Sequence, residues 1–268
     1  TITLDYRDYQ ARVSYDLTDR DRISVFAFGA YDYLSDTTND IETVLFGSEF
    51  YRVDARYDVR LQGGGKLRTA VTWGFDQTRV VDGRNTRDTL VGTRLELTLP
   101  LSRSATLRTG LDLQVDDYRA DPRPYADPDD PDTQAYNALF PPRGDNAAGA
   151  WVDVVWHLDP RLTITPGIRV DSYFSNGAKA AAAAPRLAAV VRLHPKLRLL
   201  HALGVAHQPP SFVVPIPGLA VASLNGGLQT SLQAASGVEL DLPFATTLTV
   251  TLFDGVFLNM TDSLGVRL

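Results

Sequence analysis

Four histidines, His157, His194, His201 and His207, and the acidic run DPDDPD (Asp127, Asp129, Asp130 and Asp132) are the residues whose types could do chemistry. Imidazoles bind zinc, but zinc sites gather their ligands at short spacings, and neither HExxH nor any paired-ligand spacing occurs. The scatter of the histidines favours structural or lumen-facing positions over metal ligation. Oxygen clusters suit calcium. The acidic run lacks the glycine and distal glutamate of a calcium loop, so a solvated loop stiffened by Pro128 and Pro131 is expected there. No GxSxG, phosphate-binding loop or dinucleotide fingerprint appears. Cysteine is absent, which excludes thiolate metal sites, disulfides and a cysteine nucleophile. No catalytic residue, no metal site and no cofactor is assigned.

Charge and apolar surface are more informative than any catalytic pattern. Arg52, Arg56, Arg60, Arg94, Glu96, Arg108, Asp112 and Arg169 alternate with apolar residues or threonine along their segments. Such a row, mixing both signs, suits a wide water-filled bore. It equally suits a cross-strand charge ladder that stiffens a wall and keeps it wet. His207 and Gln208 stand where a strand enters the apolar stretch FVVPIPGLAVASL, residues 212–224. With Phe212 they are candidates for contacting a ligand at a mouth. The alternatives are a hydrogen-bonded rim for His207 and Gln208, and packing on a neighbouring loop for the apolar stretch.

The elements that position these residues follow from a period of two. In YRVDARYDVRLQ, Tyr51, Val53, Ala55, Tyr57, Val59 and Leu61 alternate with Arg52, Asp54, Arg56, Asp58, Arg60 and Gln62. That period belongs to an extended strand with one apolar and one charged face. Gly63, Gly64 and Gly65 then turn the chain, and Leu67, Thr69, Val71, Trp73 and Phe75 resume the pattern. About twelve such segments form six hairpins: 6–17 with 22–34, 51–61 with 67–75, 89–100 with 105–118, 148–158 with 161–174, 185–194 with 196–207, and 231–243 with 246–258. The alanine-rich stretch before His207 has high helix propensity. Pro185 and Pro195, with the alternation of Leu187, Ala189, Val191 and Leu193, favour two strands there.

Links within hairpins are short: TDRD, QGGG, LSRS, DPR, HPK and PFAT. Links between hairpins are expected to be long polar loops, including SDTTNDIETVLFGSE, VVDGRNTRD and ADPRPYADPDDPDTQAYNALFPPRGD. One trimmed end and one elaborated end is the rhythm of a transmembrane β-barrel, whose strands need about 9–11 residues to cross the hydrocarbon. Aromatics near strand ends, such as Tyr31, Tyr51, Trp73 and Tyr173, fit interfacial girdles. No apolar run approaches the roughly 18 residues of a transmembrane helix. The net charge of −6 gives no electrostatic case for nucleic acid. The fold class expected is all-β, an antiparallel transmembrane barrel segment whose apolar face, including Val53, Tyr57, Leu97 and Leu111, meets lipid. With short turns at the periplasmic end, both termini fall at the long-loop end. Residues 1–268 are therefore expected to be a partial barrel domain, an internal piece of a larger barrel, since an open sheet would leave two unpaired edges.

At residues 185–258 the pattern resembles the barrel domain of TonB-dependent receptors. The residues that carry the likeness are Pro185, Arg186 and Leu187; Gly204, Gln208, Pro209 and Pro210; and Gly237, Val238 and Glu239. The resemblance implies a 22-stranded barrel plugged by a separate N-terminal domain. It implies an outer-membrane receptor of a Gram-negative bacterium that captures a scarce ligand, such as a metal chelate, and imports it with energy from TonB. The partners implied are outer-membrane lipid, lipopolysaccharide, the small-molecule ligand and TonB acting through the plug, which these residues do not include. The rival readings are a passive porin-like channel and, behind it, a barrel enzyme or adhesin.

Overall fold

Alternation along each segment gives a strand two unlike faces, and neighbouring strands must match like with like. The computed structural model describes residues 1–80, 85–122, 127–138, 141–175, 177–210 and 224–260. Its strands are β1 (Ile2–Asp16), β2 (Asp21–Thr38), β3 (Ile41–Arg60), β4 (Lys66–Val80), β5 (Asn85–Pro100), β6 (Ala105–Ala120), β7 (Arg143–His157), β8 (Leu162–Ser175), β9 (Ala178–His194), β10 (Leu197–Gln208), β11 (Gln229–Leu242) and β12 (Thr246–Leu258). They form one 12-stranded antiparallel sheet in chain order, and the sheet is not closed. A short helix, α1 (Pro131–Asn137), lies between β6 and β7.

All six short links fall at hairpin turns, and the alanine-rich stretch is strand, split between β9 and β10. The strands run from 12 to 20 residues, so most extend well beyond a hydrocarbon layer. Two of the expected loops are wholly or partly strand: in VVDGRNTRD, residues 80–88, Val80 ends β4 and Asn85–Asp88 open β5. SDTTNDIETVLFGSE, residues 35–49, is not a loop: β2 and β3 continue through it and turn at Asn39 and Asp40, with φ of 53° and 59°. Asn and Asp tolerate the left-handed region, and two such residues in succession make the two-residue hairpin turn whose twist suits the flanking strands.

Strand register sorts the side chains. Arg52 pairs across to Phe28 and Gly74, Arg94 to Ala70 and Asp112, and Asp153 to Arg108 and Gly167, so the charged rows share one face. That face is concave, because one hollow of about 840 Å³ is lined by residues from β2 through β8. Seven strands laid flat would span about 29 Å, too far for one hollow to bridge. The convex face is apolar and bare: Val53 is 38%, Tyr57 37%, Leu111 55% and Val71 52% exposed. Leu97 shares that face, opposite Leu67 and Thr109.

Among the described residues the only buried hydrophobic side chains are Ala70, Ala184 and Leu224. A water-soluble chain of this length would have to hide far more apolar surface than that. An apolar outside around a charged inside is the arrangement of a membrane barrel wall.

Candidate functional site

The concave wall is built by arginines that reach across strands. On β3, Arg52 makes a two-pronged contact with Asp76 of β4, Nη1 donating to Oδ1 at 2.8 Å and Nη2 to Oδ2 at 2.7 Å. Arg56 donates to Asp54, which also accepts from Thr72 Oγ1 at 2.8 Å. On β5, Arg94 Nε donates to Asp112 Oδ1 at 2.6 Å. The second oxygen of Asp112 accepts from Arg169 Nη1 at 2.7 Å.

That last contact skips a strand. Arg169 belongs to β8 and Asp112 to β6, and the guanidinium crosses β7 over Gly149, where any Cβ would collide with it. The motif recurs one step along the wall. Asp153 of β7 accepts from Arg108 of β6 at 2.6 Å and from Arg186 of β9 at 2.9 Å, with Gly167 of β8 beneath the crossing. Each bridging carboxylate thus holds one arginine from either side, and each bridge ties strands that share no backbone ladder. Charge-assisted contacts of this kind are the stronger class of hydrogen bond.

Asp153 is 4% exposed, so its ion pairs are the most shielded of the set. Asp153→Ala is expected to destabilise the protein by roughly 1–3 kcal/mol, the two arginines being about half exposed and partly able to rehydrate. Urea unfolding in lipid vesicles measures this, and an unchanged midpoint would show that the bridges contribute nothing.

The residues singled out from sequence do not all join this network. Arg52, Arg56, Arg94, Glu96, Asp112 and Arg169 line the one hollow, and Arg108 lies beside it in the Asp153 bridge. Arg68 of β4 stands 2.7 Å from Asp58 and 4.0 Å from Glu96. Arg60 shares the face but forms no ion pair among the described residues. His207 and Gln208 point to opposite faces. His207 is on the convex side, Nδ1 3.0 Å from Thr230 Oγ1 and Nε2 3.3 Å from the Ala183 carbonyl. Gln208 is on the concave side and donates to Gln229 Oε1 at 2.6 Å. Phe212 lies outside the described residues, as does the rest of the apolar stretch apart from its last residue, Leu224, which is buried.

The acidic run is also more ordered than a bare loop. Asp130 caps α1, accepting from Thr133 N at 2.9 Å and Thr133 Oγ1 at 3.0 Å, and Asp127 accepts from Asp129 N at 2.9 Å. Among the described residues no three His, Asp or Glu side chains are grouped to hold a metal ion. At the turn after β1, the Thr18 and Tyr57 hydroxyls donate to Asp21 and hold its carboxyl below the usual carboxylate range.

Sequence reasoning missed Asp76, Asp153 and Arg186 as partners, and an inward aromatic group. Phe26 and Phe28 of β2 face the hollow with ring centres 5.1 Å apart, Phe50 meets Phe28 edge-on at 5.9 Å, and Arg12 lies 4.7 Å over Phe26. Parity within β2 would have put both phenylalanines on the face of Arg22.

The family model described as TonB dependent receptor-like, beta-barrel matches residues 1–266. The chain belongs to this family. No curated protein matches it. Among solved structures, the FrpB iron transporter from Neisseria meningitidis aligns over 96% of this chain and 45% of its own, with a TM-score of 0.73 at 14% identity. The siderophore receptor PirA from Acinetobacter baumannii aligns over 96% and 44%, with a TM-score of 0.68 at 12% identity. The alcaligin outer-membrane receptor FauA from Bordetella pertussis aligns over 95% and 44%, with a TM-score of 0.62 at 15% identity. The chain therefore spans less than half the length of these transporters and receptors. At these identities the likeness is one of fold.

Proposed function

We propose that the protein is an outer-membrane receptor of a Gram-negative bacterium. It captures a scarce ligand, such as a metal chelate, at the loop end and passes it through the bore in a TonB-dependent manner. The observation that carries the reading is the pairing of a bare apolar convex face with a charged concave one, in a chain of the TonB-dependent receptor family. The iron transporter and siderophore receptor among its structural neighbours favour an iron chelate as ligand.

In this reading residues 1–268 are part of a 22-stranded barrel. The two open edges at β1 and β12, together with coverage of under half of each neighbour, support further strands. Arg52, Arg56, Arg60, Arg94, Glu96, Arg108, Asp112 and Arg169 line the bore, and the end of β10 and the start of β11 face the mouth. Outer-membrane lipid and lipopolysaccharide are the surroundings. TonB acts through a plug domain that these residues do not contain. The role of the chain is binding and passage, with no covalent step.

The test is uptake of radioactive iron, supplied as a panel of ferric chelates, by cells that have this protein as their only iron receptor. Uptake of one chelate that disappears on deletion of tonB supports the reading. Uptake that survives the deletion, with steady ion conductance of the purified protein in planar bilayers, would establish the passive channel instead.

A further inference from the structure

Asp254 stands on the apolar side of the wall. The convex row of β12 runs Leu248, Val250, Leu252, Asp254, Val256, Leu258, and its five apolar members are 48–77% exposed. Several outward charges nearer the loop end are paired: Arg79 with Glu49 at 2.9 Å, Arg119 with Asp117 at 2.9 Å, Arg7 with Asp5 at 2.7 Å. Asp254 has no such partner among the described residues. No other outward carboxylate among them has apolar residues two positions away on both sides.

A carboxylate facing hydrocarbon is costly and is kept where something pairs with it. The places next to Asp254 can be counted. Along β12 they are Leu252 and Val256. Across β11 the opposite residue is Ala234, and the diagonal ones are Leu232 and Ser236. Ser236 is engaged with His201 Nδ1 at 3.0 Å. The one neighbouring position left is across the free edge of β12, whose ladder is made with β11 alone. A residue directly opposite on an antiparallel neighbour has its Cβ within about 5.5 Å, close enough for an ion pair.

We propose that Asp254 forms an outward ion pair with a lysine or arginine on the membrane-spanning segment that pairs along the free edge of β12. The pair fixes the register of that junction, since a slip of one residue would turn the cation to the other face and leave Asp254 bare. The inference rests on the membrane reading above.

The test uses the protein folded into lipid vesicles and titrated with urea, with Val152→Asp as a second site on the same convex face. Asp254→Asn and Asp254→Leu are each expected to lower the folded-to-unfolded ratio about tenfold, because either leaves the cation alone in lipid. A ratio unchanged in Asp254→Asn, or raised in Asp254→Leu, while Val152→Asp lowers it, overturns the pairing. A ratio unchanged in Val152→Asp overturns the membrane reading itself. Asp254→Lys should be rescued by one Lys→Asp or Arg→Asp exchange in the edge segment. Failure of every such exchange overturns the proposed partner.

Discussion

Leu111→Arg is expected to cost about 2–4 kcal/mol of folding free energy in a bilayer, a loss of roughly thirtyfold to a thousandfold in the folded population. Leu111 lies midway along β6 on the convex face and is 55% exposed, so the new guanidinium would face acyl chains with no partner. The companion substitution is Gln114→Lys on the same strand. Gln114 faces the hollow and donates to both oxygens of Asp116, at 3.2 and 2.9 Å, and a lysine there keeps a donor and gains an opposite charge. It is expected to change stability by less than about 1 kcal/mol. Urea titration in vesicles compares the two. A larger penalty for Gln114→Lys than for Leu111→Arg would mean that the faces have been assigned the wrong way round.

The second large effect concerns Gly110. A Cβ at this position would lie 2.7 Å from the Leu95 carbonyl oxygen and 2.6 Å from the Trp151 indole nitrogen. The tryptophan could swing aside, but the carbonyl belongs to the ladder of the adjoining strand and could yield only if β5 and β6 moved apart. Gly110→Val is therefore expected to destabilise the protein by about 3 kcal/mol, at the upper end of the overpacking range. Its foil is Gly92→Ala, where the nearest atoms to a new Cβ are at 3.8 Å and little change is expected. Denaturant midpoints followed by tryptophan fluorescence read both. A tolerated valine would show that the β5–β6 spacing is looser than described.

Orientation was legible because it needs only parity. Once Arg52 and Val53 are known to oppose, every other residue of β3 follows, and the alternation is strong enough to call lipid or water for most strands. What sequence could not supply was register between strands. The bridges through Asp112 and Asp153 join strands two apart, and nothing local to Arg169 or Arg186 names the carboxylate each will reach. Residues 35–49 were misread for a different reason: Ser, Asp, Thr and Asn look like loop, while the extended backbone is held by the ladder rather than by side-chain preference. His207 and Gln208 could have been separated from sequence, since consecutive strand residues point opposite ways.

The near absence of buried hydrophobic side chains among the described residues bears on when this protein can take its shape. In the membrane reading, a chain with so little to gather in its middle has no stable shape to adopt in water, so that acquiring structure and entering the bilayer would be a single event. Before that, its apolar convex residues would stand in water, the exposure that makes unfinished chains prone to aggregate.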